Sequence, residues 1–197
     1  MKFEDLKTAF PDATLETWHV HPNGGGWVQN TATVAETAFV GPDAVISGDA
    51  VVSGNAVVYG YARVSGNARV FGNAMVFGNA MVFENAMVFE NAQVSGYARV
   101  YRNAMVYGYT LVSGNSRVYG SAVVSGNASV YGYAMVSGNA MVSGNAWIYE
   151  NAMVYGNAMV SGNAVVSGNA WIYENAVVSG NAVVYGNARV SGDKIIG

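Results

Sequence analysis

Val52-Ser53-Gly54-Asn55-Ala56-Val57-Val58-Tyr59-Gly60-Tyr61-Ala62-Arg63-Val64 holds two beats of a six-residue clock, and the clock decides the fold. A Val or Ile falls on every sixth position from Val28 to Ile196, with no insertion and no omission. Written from that residue, the hexad runs Val, then Ser/Tyr/Phe, usually Gly, usually Asn, then Ala, then a variable residue. Internal repetition at a fixed short period is the signature of a solenoid and outranks residue-by-residue propensity. In a short strand, alternate side chains face opposite ways, so Ala56 and Val58 point to one side while Val57 and Tyr59 point to the other. The repeating Ala/Val pair is therefore the core. The Gly-Asn between strands supplies the residue types that best tolerate the positive φ of a sharp corner. Each hexad is thus one strand and one corner.

This hexad resembles the hexapeptide repeat of the left-handed parallel β-helix superfamily, in which an aliphatic residue follows a small one by two positions and three hexads make one triangular coil. The resemblance covers about residues 26 to 197. It implies an all-β, left-handed parallel β-helix with three strands in each coil of about 18 residues, some nine and a half coils and a prism about 45 Å long. The superfamily includes acyltransferases, γ-class carbonic anhydrases, ice-binding proteins and many bacterial and phage proteins of unknown role, so the resemblance implies a fold and leaves the function open. The expected organisation is an N-terminal cap over residues 1–25, a short helix plus a Gly-rich connection, followed by the solenoid over 26–197.

The cap follows from a change of pattern. Phe3, Leu6 and Phe10 have the spacing of a short amphipathic helix that stops before Pro11, placed here over the first coil. Between it and the solenoid lies Trp18-His19-Val20-His21-Pro22-Asn23-Gly24-Gly25-Gly26-Trp27. His19 and His21 share a face of an extended segment, but two imidazoles fall short of the three or four ligands of a usual metal site. The glycine run lacks the Lys-Ser/Thr and the helix that follow in a phosphate loop. Its expected purpose is close passage of the chain against the first coil, with the two Trp rings sealing it.

The chain has 197 residues, a net charge of −3, 11% charged residues and no Cys, which excludes a disulfide framework and thiol chemistry and argues against broad binding of a nucleic acid backbone. No apolar run approaches the roughly 20 residues that span a bilayer. The opening Met1-Lys2-Phe3-Glu4-Asp5-Leu6 carries acids where a secretory signal needs basic and then apolar residues, so the expected location is the cytoplasm, or the host cytoplasm for a phage protein. The superfamily's acyltransferases typically use a catalytic His and its carbonic anhydrases three zinc-binding His, whereas this chain has no His after His21. Thr110 and Ser116, at inward positions, have no base beside them, and Glu84 and Arg102, one coil apart on one corner, read as a surface pair. The expectation is a non-enzymatic protein with no cofactor and no metal.

The outward positions then carry whatever the protein does. Taken modulo 18, one face presents Met87, Met105, Val123, Met141, Met159 and Val177 with Ser125, Ser143, Ser161 and Ser179; the others present Trp147, Trp171 and many Tyr and Phe. Apolar patches larger than a few hundred Å² mark interaction surfaces. Met87, Met105, Met141, Met159, Trp147, Trp171 and Ile195 are accordingly the expected interface, in a homo-oligomer that the superfamily resemblance makes a trimer first and a dimer second. Pairing through the strand that contains Ile195 is a further expectation. An alternative is a small anionic planar ligand, a nucleotide or cyclic dinucleotide, at Arg99 and Arg117, stacked one above the other beside Tyr101, Tyr119 and Tyr97. Tyr61, Tyr97 and Tyr133 share a corner column on alternate coils. A third reading, ice or glycan binding on a flat face, rests on the Ser row. The decapeptide Ser-Gly-Asn-Ala-Trp-Ile-Tyr-Glu-Asn-Ala recurs at Ser143–Ala152 and Ser167–Ala176 with an offset of 24, which puts the two Trp on different faces and reads as a duplication indifferent to surface register.

Overall fold

The structure, a computed structural model, describes residues 1–197. It is an all-β, left-handed parallel β-helix of about nine turns with one short helix at its N-terminus. Three sheets form the sides. The Trp27 sheet has eleven strands and runs to Arg189–Val190; the Thr33 sheet has ten, ending at Ile195–Ile196; the Phe39 sheet has nine, ending at Val183–Val184. Apart from the first strand, every strand pairs in parallel with the strand 18 residues away, as Met75 does with Val57 and Gln93. The register never slips, because moving a strand by one residue would expose its Val and bury its outward neighbour.

Almost every Ala and Val of the repeating pair is fully buried, and they form one cluster of 50 residues along the axis. Each buried Val removes apolar surface worth roughly 1.5–3 kcal/mol from water. The two polar replacements behave differently. Ser116 donates to the carbonyls of Ser113 and Val130, at 2.8 and 3.3 Å, whereas the buried Thr110 hydroxyl has no partner.

At the corners, only the Gly position takes a positive φ; the Asn that follows it does not. The expectation that both residues serve the bend is corrected accordingly. At Gly96 (φ 67°) an added Cβ would stand 3.0 Å from the backbone nitrogen of Gly114 in the next coil, so both the conformation and the close stacking of coils favour glycine. Asn instead pairs vertically: the Asn145 carboxamide accepts from Asn127 and donates to Asn163, at 3.1 and 2.9 Å. Five corners carry a non-glycine residue at positive φ: Glu84, Glu90, Arg102, Glu150 and Glu174. Glu150 and Glu174 offset that strain by accepting from the backbone N–H of Gly168 and Gly192, at 2.6 and 2.7 Å. Glu84 and Arg102 form no ion pair, contrary to the sequence reading: Glu84 is exposed to water, where a pair gains little, and the Arg102 guanidinium lies over the Tyr119 ring, 5.9 Å from its centroid.

The cap comes in two parts. Helix α1 (Phe3–Ala9) buries Leu6 and packs, with Phe3 and Phe10, on Trp27, Trp18 and the outward Val45. It therefore covers the side of the Trp27 sheet rather than lying across the first coil, a change of place that follows from the large outward side chains at Trp27 and Val45. The coil's edge is met by strand β1 (Trp18–Val20), antiparallel to β2 (Trp27–Gln29). The glycine run does bring the chain close: a Cβ on Gly26 would fall within 2.4 Å of the Gly41 carbonyl oxygen. His19 and His21 part company because β1 ends at Val20. His19 is exposed and hydrogen-bonds Asn30 at 2.7 Å, while His21 is buried against the Asn23 carbonyl at 3.2 Å.

Candidate functional site

Apart from Thr110 and Ser116 the interior is aliphatic in every coil, so distinct chemistry resides in the outward columns. On the Trp27 sheet the outward strand position reads Arg63, Met81, Arg99, Arg117, Met135. Arg99 and Arg117 lie directly opposite each other on neighbouring strands, as the spacing predicts. No carboxylate reaches either one; the ion pair in the structure is between the Met1 amino group and Asp43. Beside them, Tyr101 stacks on Tyr119 with centroids 5.0 Å apart and on Phe83 at 4.8 Å. Both faces of Tyr101 are thus covered by neighbouring rings. A planar ligand has no room to enter between Tyr101 and Tyr119; of the five residues grouped in the sequence reading, Arg99 and Tyr97 meet in a groove on the adjoining corner.

That groove is lined by Tyr61, Arg63, Asn79, Met81, Tyr97 and Arg99 and encloses about 350 Å³. Tyr61 and Tyr97 are each 62% exposed and stand two coils apart on the corner between the Phe39 and Trp27 sheets, with Asn79 between them. The signal was legible in the alternation of Tyr and Asn down this column. Arg63 and Met81 were not singled out, because their significance depends on which corner they flank.

Burial raises the phenol pKa of Tyr101 above its ordinary value. Tyr119 adds to the effect, Arg117 and Arg102 oppose it, and Glu84 adds a little. Burial likewise raises Tyr131, reinforced by Tyr149 and Glu150. Tyr155 is raised by burial and Tyr173, opposed by Arg189 and reinforced by Glu174. All three therefore stay neutral, as packing residues rather than acid–base groups, through the physiological range.

The Thr33 sheet offers a different surface. Tyr107, Val123, Ser125, Met141, Ser143, Met159, Ser161 and Val177 line a shallow groove of about 300 Å³ without a charged side chain. Met141 is 45% and Met159 37% exposed. Met87 and Met105 continue the same row and are partly covered. Ile195 is exposed on the last strand of this sheet.

Trp147 and Trp171 sit on the Phe39 and Trp27 sheets, as the offset of 24 requires. The duplication is more orderly than the decapeptide suggests. Residues 131–152 and 155–176 are identical except at Tyr133/Asn157 and Met141/Val165. Each copy carries its own contacts: Trp147 meets the edge of Tyr131 at 6.4 Å and Trp171 that of Tyr155 at 6.3 Å, while Tyr131 stacks on Tyr149 and Tyr155 on Tyr173. The groove at Leu111, Ser113, Ser129, Tyr131 and Trp147 reappears at Met135, Ser137, Met153, Tyr155 and Trp171. Surface register is lost in the duplication, but the local module survives intact, turned to the next face.

A comparison with protein families agrees with this architecture. The family model described as the YdcK beta solenoid repeat matches residues 44–60, 62–76, 68–82, 111–126, 134–150, 152–168, 158–174 and 170–186, together more than half of the chain. No curated protein matches the chain. Among solved structures it is similar to a UDP-N-acetylglucosamine acyltransferase of Arabidopsis, at 14% identity over 78% of this chain and 66% of that one, with a TM-score of 0.42. It is also similar to LpxA from Acinetobacter baumannii, at 14% identity over 82% of this chain and 72% of that one, with a TM-score of 0.44. The chain therefore spans just under two thirds of the length of the Arabidopsis protein.

Proposed function

The chain belongs to the YdcK beta solenoid repeat family, and we propose from that premise that it is a non-enzymatic, rigid scaffold or adaptor that self-associates through the Thr33 sheet. One observation carries the reading. From Met105 to Ser179 the outward residues of this sheet are Met, Val, Tyr and Ser without a single charge, on a flat side of a prism whose strands cannot rearrange. Small Ser side chains between exposed Met give a surface on which a second copy packs closely, and Met adapts its shape to a partner at little cost. An uncharged row also suits an interface core, where charged side chains are depleted. The superfamily resemblance favours a trimer, with a dimer as the next closed arrangement.

Sedimentation of a variant carrying Met141→Glu and Met159→Glu tests the surface. Two carboxylates opposite two others across a symmetric contact repel and lose hydration, so the variant should sediment at its monomer mass of 20.6 kDa while the unaltered chain sediments at a multiple of it. Equal masses for the two proteins would remove the Thr33 sheet from the interface.

A further inference from the structure

We propose that Tyr61, Asn79 and Tyr97, with Arg63 and Arg99 beside them, form a binding slot for one planar aromatic anion, a ring that carries a phosphate or carboxylate at its edge.

The argument starts from the ladders elsewhere in the molecule. Wherever aromatic residues occupy the same column on consecutive coils, their rings stack: Phe71 on Phe89 and Phe83 on Tyr101 at 4.8 Å, Tyr131 on Tyr149 at 5.0 Å, each pair parallel to within 3°. The coil repeat alone imposes this spacing, since the strands that hold the rings are a hydrogen bond apart. Rings on alternate coils are then separated by about twice as much, roughly 10 Å, which leaves space for one further ring between them. Tyr61 and Tyr97 stand in this relation, and the rung between them is Asn79. A ligand ring entering above Asn79 completes a three-ring ladder of the kind that the protein builds for itself at Phe83, Tyr101 and Tyr119.

Asn79 has the floor of the slot to itself. Most corner Asn residues pair with an Asn one coil away, as Asn85 does with Asn103, but the neighbours of Asn79 in its column are the two tyrosines. Its carboxamide is therefore available to donate to and accept from the edge of a ring. Arg63 and Arg99 flank the opening from the Trp27 sheet, two residues after Tyr61 and Tyr97, with Met81 between them. No acid lines the groove and neither Arg is ion-paired, so two guanidinium groups face an anion at the ring's edge without a competing carboxylate. A volume of about 350 Å³ suits a small molecule rather than a protein segment. The pattern recurs one step along, where Asn115 lies between Tyr97 and Tyr133 beside Arg99 and Arg117, so a second, overlapping slot shares one wall with the first.

Calorimetric titration of the full chain with four probes separates the components of this site. Adenosine monophosphate and indole carboxylate each supply ring and anion, adenosine supplies the ring alone, and ribose phosphate the anion alone. At least one of the first two should bind about tenfold or more tightly than either of the last two, and the tighter of them identifies phosphate or carboxylate as the preferred anion. Replacing both middle rungs, Asn79→Tyr with Asn115→Tyr, fills the slots with protein rings; this variant should lose that binding while melting no lower than the unaltered chain. Tyr61→Ala should weaken binding at the first slot by roughly tenfold. Binding of ribose phosphate or adenosine as tight as that of the better of the two aromatic anions, undiminished binding to the filled variant, or no binding of either aromatic anion would each overturn the proposal. None of these outcomes depends on the oligomeric state.

Discussion

The coils from Tyr59 to Tyr119 and those from Ser121 to Ser179 share one interior and differ in their exteriors. Inside, both are a column of buried Ala and Val, broken by Thr110 and Ser116 in the first part and with Ile148 and Ile172 in place of Val in the second. Outside, the first part carries five arginines and two glutamates, with Tyr and Asn alternating on one corner. The second carries Glu150 and Glu174 and no basic residue, Asn ladders of three rungs such as Asn127, Asn145 and Asn163, and a flat row of Met, Val and Ser. Selection for the fold alone explains the interior and is silent about the exterior. The two proposals above give the exteriors different partners: a small anion for the first part and a second copy of the chain for the other.

If the interior is uniform, equivalent core truncations should cost the same in both parts. Val100→Ala and Val154→Ala should each lower stability by about 2 kcal/mol in chemical denaturation, and agree to within about 0.5 kcal/mol. A clearly larger loss at either site would mean that the two parts differ in packing as well as in surface.

The corners sharpen the contrast at smaller scale. Asn145 is held from above and below, so Asn145→Ala should cost about 1 kcal/mol, whereas Asn79→Ala should cost no more than a few tenths. Thermal melts of the two variants side by side measure the difference. Glu84 and Glu150 share a left-handed backbone, but only Glu150 is compensated by a hydrogen bond from its side chain. Glu84→Gly should therefore raise stability by roughly 1 kcal/mol, and Glu150→Gly by less, as judged by their unfolding midpoints.

The smallest effect is a pH dependence common to both parts. The raised phenol pKa values of Tyr101, Tyr131 and Tyr155 mean that the folded chain holds protons that the unfolded chain releases. Their contribution is complete below the unfolded value of 10.0 and is lost as pH rises from there through the folded values. Spectrophotometric titration should show these phenols ionising above the ordinary tyrosine value of 10.0, with the melting temperature falling over the same alkaline range. A constant melting temperature there would contradict the packing assigned to these rings.

The fold was legible in the sequence because one period sets both which residue is buried and which neighbour lies 18 residues on. The same arithmetic placed Arg99 over Arg117 and Tyr101 beside Tyr119. It did not reveal that stacking would consume the faces of Tyr101, since the preference of adjacent rings for each other over solvent or a ligand emerges only once the coils are assembled. Nor did it show α1 against the side of the prism: an amphipathic pattern specifies an apolar stripe but not the surface that receives it. The separate fates of His19 and His21 depended on where a three-residue strand ends, which spacing does not encode. The duplication read as careless of register because faces were compared, whereas the conserved object is the Tyr131–Trp147–Tyr149 contact and its copy.

The central claim, that an uncharged outer face makes this solenoid a self-associating scaffold, is tested most directly by native mass spectrometry of the unaltered chain. A trimer, or failing that a dimer, of the 20.6 kDa subunit is the predicted result. A single species at 20.6 kDa, persisting as protein concentration is raised, would contradict it.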